Sequence, residues 1–107
     1  MRDQGREFRT VRGYQIKQQE TNTITASMED YLEMTYRLAR GKGYTRMGDL
    51  AIALNVQPPS ASKMVQKLAE MGYLQFEKYG VIELSKKGRE HGQYLLKRHE
   101  TLERFLG

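Results

Sequence analysis

Between two short amphipathic stretches the chain runs Asn55-Val56-Gln57-Pro58-Pro59. A proline lacks the N–H that a helix interior needs, so no helix passes through this segment. The same prolines suit the first turn of a new helix, where a missing N–H costs nothing. One helix therefore ends near Leu54 and the next begins at Pro58, with a tight break between them. Upstream, from about Arg46, Leu50, Ala53 and Leu54 form the expected inner face. Downstream, to about Met71, Ala61, Met64, Val65 and Leu68 share one face, and Ser60, Ser62, Lys63, Gln66 and Lys67 the other.

The flanking segments extend the pattern. Thr25-Ala26-Ser27 announces an earlier helix with Ser27 as its expected N-cap. Met28, Tyr31, Leu32, Thr35, Leu38 and Ala39 recur at helical spacing until Gly41-Lys42-Gly43 ends it. Tyr44-Thr45 reads as a short extended link. After Gly72, Tyr73–Lys78 alternates as a half-buried strand with Phe76 inward, Tyr79-Gly80 turns, and Val81–Leu84 alternates again. Ser85 caps a last helix that runs on through Leu95, Leu102 and Leu106. Helix, helix–turn–helix, hairpin, helix is the order of a winged helix–turn–helix, mostly α with a small β-hairpin. Residues 25–107 form that domain, and residues 1–24, lacking either periodicity, read as a flexible basic arm.

Charge narrows the function. The 107 residues carry 18 Lys+Arg against 13 Asp+Glu, a formal +5, which favours a polyanionic partner. Residues 1–24 hold five basic and three acidic groups, whereas residues 55–98 hold eight and four. The excess lies on the middle of the chain. With no cysteine there is no disulfide framework and no thiolate metal site, which fits a reducing cytosol. No apolar run approaches a membrane span. G-x-S-x-G, Walker A and dinucleotide patterns are missing, and His99-Glu100-Thr101-Leu102-Glu103 has Glu where a metalloprotease needs its second His. Nothing reads as catalysis.

A helix fits the major groove, and the second helix of such a pair sets its N-terminal residues against base edges. Pro59, Ser60, Ser62, Lys63, Gln66 and Lys67 occupy that position. The two serines can bond phosphate, Lys63 a base edge or phosphate, and Lys67 a phosphate. The helix N-terminus attracts phosphate as well. Lys78 near the hairpin tip can reach the flanking backbone. Taken alone, each of these is also what a solvated basic helix face looks like.

Asp30 and Glu33 are spaced i,i+3 on the first helix, His99 and Glu103 i,i+4 on the last. Each pair shares a face, and imidazole with carboxylate suits Mn²⁺, Fe²⁺ or Zn²⁺. Plainer roles compete. Ser27 and Asp30 can form a capping box, Glu33 can pair with Arg37, and His99, on the Leu95/Leu102/Leu106 stripe, can be a core histidine facing away from solvent.

The segments Ser27–Glu33, Pro58–Leu68 and Arg98–Leu106 together resemble the diphtheria-toxin-repressor family, and within it the manganese-transport-regulator branch. The resemblance covers about 80 residues from Ala26 onward. It implies a metal-activated DNA-binding repressor of metal-uptake genes, cytoplasmic, homodimeric, with double-stranded DNA as partner. Asp30, Glu33 and His99 match ligands of the manganese branch, and Glu103 an ancillary ligand of the iron branch. The iron branch has Met at the position of Asp30, and a hard carboxylate there suits Mn²⁺ better than a thioether. Ser60, Ser62 and Lys63 match DNA-contacting positions. The family's next segment, a dimerisation domain with two further carboxylates and a histidine, is not in this chain, so the resemblance leaves the metal site incomplete. Two readings stand beside it, a metal-independent winged-helix regulator and a winged-helix protein-interaction module.

Overall fold

The computed structural model describes residues 23–106, with side chains described as far as Arg104. The arm expected over 1–24 lies outside the described residues except for its last two positions. The first helix, α1 (Ala26–Ala39), buries Met28, Tyr31, Leu32, Thr35 and Ala39, the anticipated stripe with Leu38 only partly covered. Thr35 is tolerated there because its hydroxyl donates to the Tyr31 carbonyl at 2.7 Å. The cap is Thr25, not Ser27: Thr25 Oγ1 accepts from the Met28 N–H at 3.1 Å. With the helix starting two residues earlier, Ser27 is an exposed first-turn residue and the Ser27/Asp30 capping box does not form.

A two-residue strand, β1 (Thr45–Arg46), leads into α2 (Met47–Leu54). Leu50 and Ala51 are buried in α2, whereas Ala53, expected inward, is exposed. In an eight-residue helix two stripes fit the spacing equally well, and packing selects the one through Ala51. Asn55 closes α2 in the left-handed region (φ 57°), with N–H bonds from Asn55 to Ile52 and from Val56 to Ala51. Asn tolerates this conformation better than most residues. Helix α3 (Pro58–Glu70) starts at once, burying Ala61, Val65 and Leu68.

The strands β2 (Leu74–Phe76) and β3 (Val81–Leu84) form the hairpin. Thr45 pairs with Ile82 and Arg46 with Val81, so the sheet has three antiparallel strands in the order β1-β3-β2. The link anticipated at Tyr44-Thr45 is therefore an edge strand, too short to show a period. Phe76 pairs with Ile82 but is 41% exposed while Ile82 is fully buried. Its strand is at an edge beside the hairpin tip, where β3 is its only sheet neighbour among the described residues. Phe76 is thus on the expected inner face of the sheet, with Leu74 and Ile82, but is only partly covered there.

Helix α4 (Lys86–Leu106) is capped by Ser85, whose Oγ accepts from the Gly88 N–H and donates to the Gly72 carbonyl. The start of α4 is thus tied to the end of α3. Gly88 is obligatory here, because a Cβ at that position would collide with the Tyr73 carbonyl. From there α4 crosses back over α1, its main packing partner. Leu32, Leu50, Leu68, Val65 and Ile82 meet at the centre. The architecture is the expected winged helix–turn–helix. Among the described residues, no helix is long and apolar enough to cross a membrane.

Candidate nucleic-acid interface and metal groove

The buried face of α3 determines what its other face can do. With Ala61, Val65 and Leu68 turned to the core, Pro59, Ser60, Lys63, Gln66 and Lys67 are exposed and Ser62 is partly exposed. Among the described residues neither Lys63 nor Lys67 has a carboxylate partner, so both ammonium groups are available to an anion. The helix N-terminus is less available than its sequence implied. Pro58 and Pro59 have no N–H, and the Ser60 N–H bonds the Gln57 carbonyl at 3.0 Å. An incoming phosphate would meet hydroxyls and ammonium groups there rather than free backbone donors.

Lys78 and Tyr79 are exposed at the hairpin tip, and just beyond it Val81 pairs with Arg46, the residue before α2. The wing is therefore braced against the helix–turn–helix. Tyr79, 90% exposed with φ 63°, was not singled out from sequence. A tyrosine in a turn gives no sign that its backbone is left-handed.

Where α1 and α4 cross, Asp30, Glu33, Met34, Arg37, Leu54, His99 and Glu103 line one groove of about 380 Å³. All four ligand candidates are there. Glu33 is 16% exposed, and Arg37 binds its Oε2 through Nη2 at 3.0 Å and Nε at 3.3 Å. His99 Nε2 lies 3.0 Å from Glu103 Oε2, and its Nδ1 lies 3.9 Å from Glu33 Oε2. Asp30 is exposed and has no ion pair among the described residues. The imidazole of His99 is 46% exposed, which corrects the expectation that it faces the core: α4 at this point extends past the core, and Leu102 beyond it is 53% exposed.

Among the described residues no three of these groups are already arranged around one point as a metal would require. The donor set nevertheless fits a borderline-to-hard divalent ion, with one imidazole and three carboxylates lining one groove. Met34 and Leu54, which form its apolar side, were missed. Met34 was findable, since Asp30, Glu33, Met34 and Arg37 follow i, i+3, i+4, i+7 along one helix face.

The second histidine has a different environment. His91 lies edge-on between Tyr73 and Tyr94, with centroids 5.5 and 6.1 Å away. It belongs to the packing of α4 against Tyr73, in the link between α3 and β2, and does not line the groove.

Comparison with known proteins places these features. Over 82 residues the chain is 55% identical to the HTH-type transcriptional regulator MntR of Geobacillus kaustophilus, covering 77% of this chain and 58% of that one. The MntR of Lysinibacillus sphaericus is 52% identical over the same length, 77% and 59% covered. The chain thus spans somewhat under three fifths of the curated relatives it matches. Among solved structures, T. acidophilum IdeR superposes with TM-score 0.62 at 26% identity, over 72% of this chain and 35% of that one. MepR of Staphylococcus aureus, a transcription regulator, shares the fold at TM-score 0.61 and 16% identity, over 92% and 82%. Residues 23–82, more than half of the chain and reaching from α1 into β3, match the family described as iron dependent repressor, N-terminal DNA binding domain, and to that family this chain belongs.

Proposed function

We propose that the chain binds double-stranded DNA through α3 as a metal-responsive transcriptional repressor of metal-uptake genes, working in the cytoplasm with Mn²⁺ as its ion. The observation that carries the DNA-binding part is the exposed cationic face of α3, whose lysines have no carboxylate partner among the described residues, opposite a buried apolar face in a tightly turned helix pair. In this reading Pro59 sets the helix start. Ser60, Ser62 and Lys67 bond phosphate oxygens, and Lys63 and Gln66 reach base edges. Lys78 touches the backbone beside the site. Two copies bind as a homodimer, so that two α3 helices enter successive major grooves. Residues 25–107 act as the DNA-binding unit.

Asp30, Glu33, His99 and Glu103 are the residues that would hold the ion, and Fe²⁺ or Zn²⁺ suits the same donors. The ion supplies positive charge that neutralises the carboxylates and ties α1 to α4. Asp30 supports this assignment, since Thr25 performs the capping that would otherwise occupy the first turn. A metal-independent regulator is the second reading, and the pairs Arg37–Glu33 and His99–Glu103 favour it.

Fluorescence anisotropy against duplex DNA at two salt concentrations, with and without Mn²⁺, tests both. Affinity is expected to fall steeply with salt, because each neutralised phosphate releases counterions, and to rise with Mn²⁺. No binding at low salt would overturn the DNA reading. Binding indifferent to Mn²⁺ would leave the second reading standing.

A further inference from the structure

The groove already contains a cation of its own. Both Arg37 donors, Nη2 and Nε, converge on a single oxygen of Glu33, Oε2. That same oxygen is the one nearest to His99 Nδ1, at 3.9 Å. The Glu33 side chain is 16% exposed and that of Arg37 40%, so the carboxylate is withdrawn from water and its charge is answered by the guanidinium. The gap between Glu33 and His99 that a shared ion would use is thus flanked by a fixed positive charge.

We propose, building on the metal-binding reading above, that Arg37 is a built-in competitor for the metal ion and sets the threshold concentration at which the groove fills. In the metal-free chain the guanidinium neutralises Glu33 and keeps its carboxylate oriented. A divalent ion has to displace it from Oε2 and then accept a nearby positive charge, two costs that a groove without Arg37 does not have. The competition acts on affinity and not on the ligand set, so removing it strengthens binding.

The other arginine of this region makes an internal control. Arg98 pairs with Glu29 at 3.4 Å, adds the same net charge to the α1–α4 face, and does not touch Glu33.

The test is direct Mn²⁺ titration of the full chain, reading free Mn²⁺ by its electron paramagnetic resonance signal, for wild type, Arg37→Ala, Arg37→Gln and Arg98→Ala. Circular dichroism melting verifies that each variant folds. Arg37→Ala and Arg37→Gln are expected to bind about three- to tenfold tighter, the size of an exposed-to-half-buried ion pair plus relieved repulsion, whereas Arg98→Ala stays within about twofold. Raising the salt should shrink the difference. Equal or weaker binding by both Arg37 variants, in a wild type that does bind Mn²⁺, overturns the competitor role and leaves the groove reading intact. An equal gain from Arg98→Ala reduces the effect to net charge and overturns it too. No Mn²⁺ binding by any of the four chains removes the groove reading, and the competitor role with it.

Discussion

At the hairpin tip Tyr79 holds φ 63°, ψ 26° with its ring in solvent. A β-carbon in the left-handed region costs about 1 kcal/mol or more, and among the described residues no buried contact offsets it. Tyr79→Gly is therefore expected to raise stability by about 0.5–1 kcal/mol, net of the greater freedom that glycine gives the unfolded chain. Urea denaturation measures this, and a loss of stability would show that the ring packs usefully. The lysines of α3 carry the opposite expectation: little effect on folding, a clear one on binding. Lys63→Ala and Lys67→Ala should each weaken duplex binding and lower the salt slope by about 1 where a phosphate contact is lost, or cost about 1–3 kcal/mol at one base pair where a base contact is lost. Melting temperatures close to wild type with unchanged DNA affinity in both variants would place the interface elsewhere.

Elements differ in how far their own residues specify them. Helix α1 was legible because six apolar or small residues repeat between Met28 and Ala39, about three turns, and α3 because two prolines mark its start and its faces divide cleanly. The two-residue β1 carries no such signal and exists only because β3 lies alongside it. Phe76 and Leu68 measure the same contrast energetically. Leu68 is fully buried, and Leu68→Ala is expected to cost about 2–5 kcal/mol. Phe76, on its edge strand, retains 41% of its exposure, and Phe76→Ala should cost about 1–2 kcal/mol. Chemical denaturation of the two variants side by side checks the order, and an equal loss would mean that the hairpin face is covered more fully than its exposure indicates.

Across the whole molecule, the packing of α4 over α1 determines which distant residues share a groove. Asp30 and Glu33 come from α1 and His99 and Glu103 from α4, so an ion bound between them links the first and last helices of the described residues. Binding to the folded chain alone stabilises it by RT ln(1 + [L]/Kd), about 2.7 kcal/mol at a hundredfold excess over Kd. Mn²⁺ should therefore raise the melting temperature in a concentration-dependent way, and EDTA should reverse the rise. Asp30→Ala and His99→Ala should lose most of it. A melting temperature insensitive to millimolar Mn²⁺ would argue that the groove is only a polar seam between helices.

What the sequence determined by itself is what depends on neighbours within a few residues. The helical stripes, the proline start of α3, the Ser85 cap and the division of α3 into an apolar and a cationic face all follow from local spacing and backbone chemistry, and the family likeness rests on those same segments. The tertiary structure decided what needs partners far away in the chain. It turned α2 on Ala51 rather than Ala53, left Phe76 at an edge, and required glycine at position 88 because the Tyr73 carbonyl is there. It also brought Glu33 within 3.9 Å of His99, 66 positions later in the chain, with Arg37 lining the same groove. Spacing along one helix reveals which side chains share a face, but only the crossing of two helices brings their charges together.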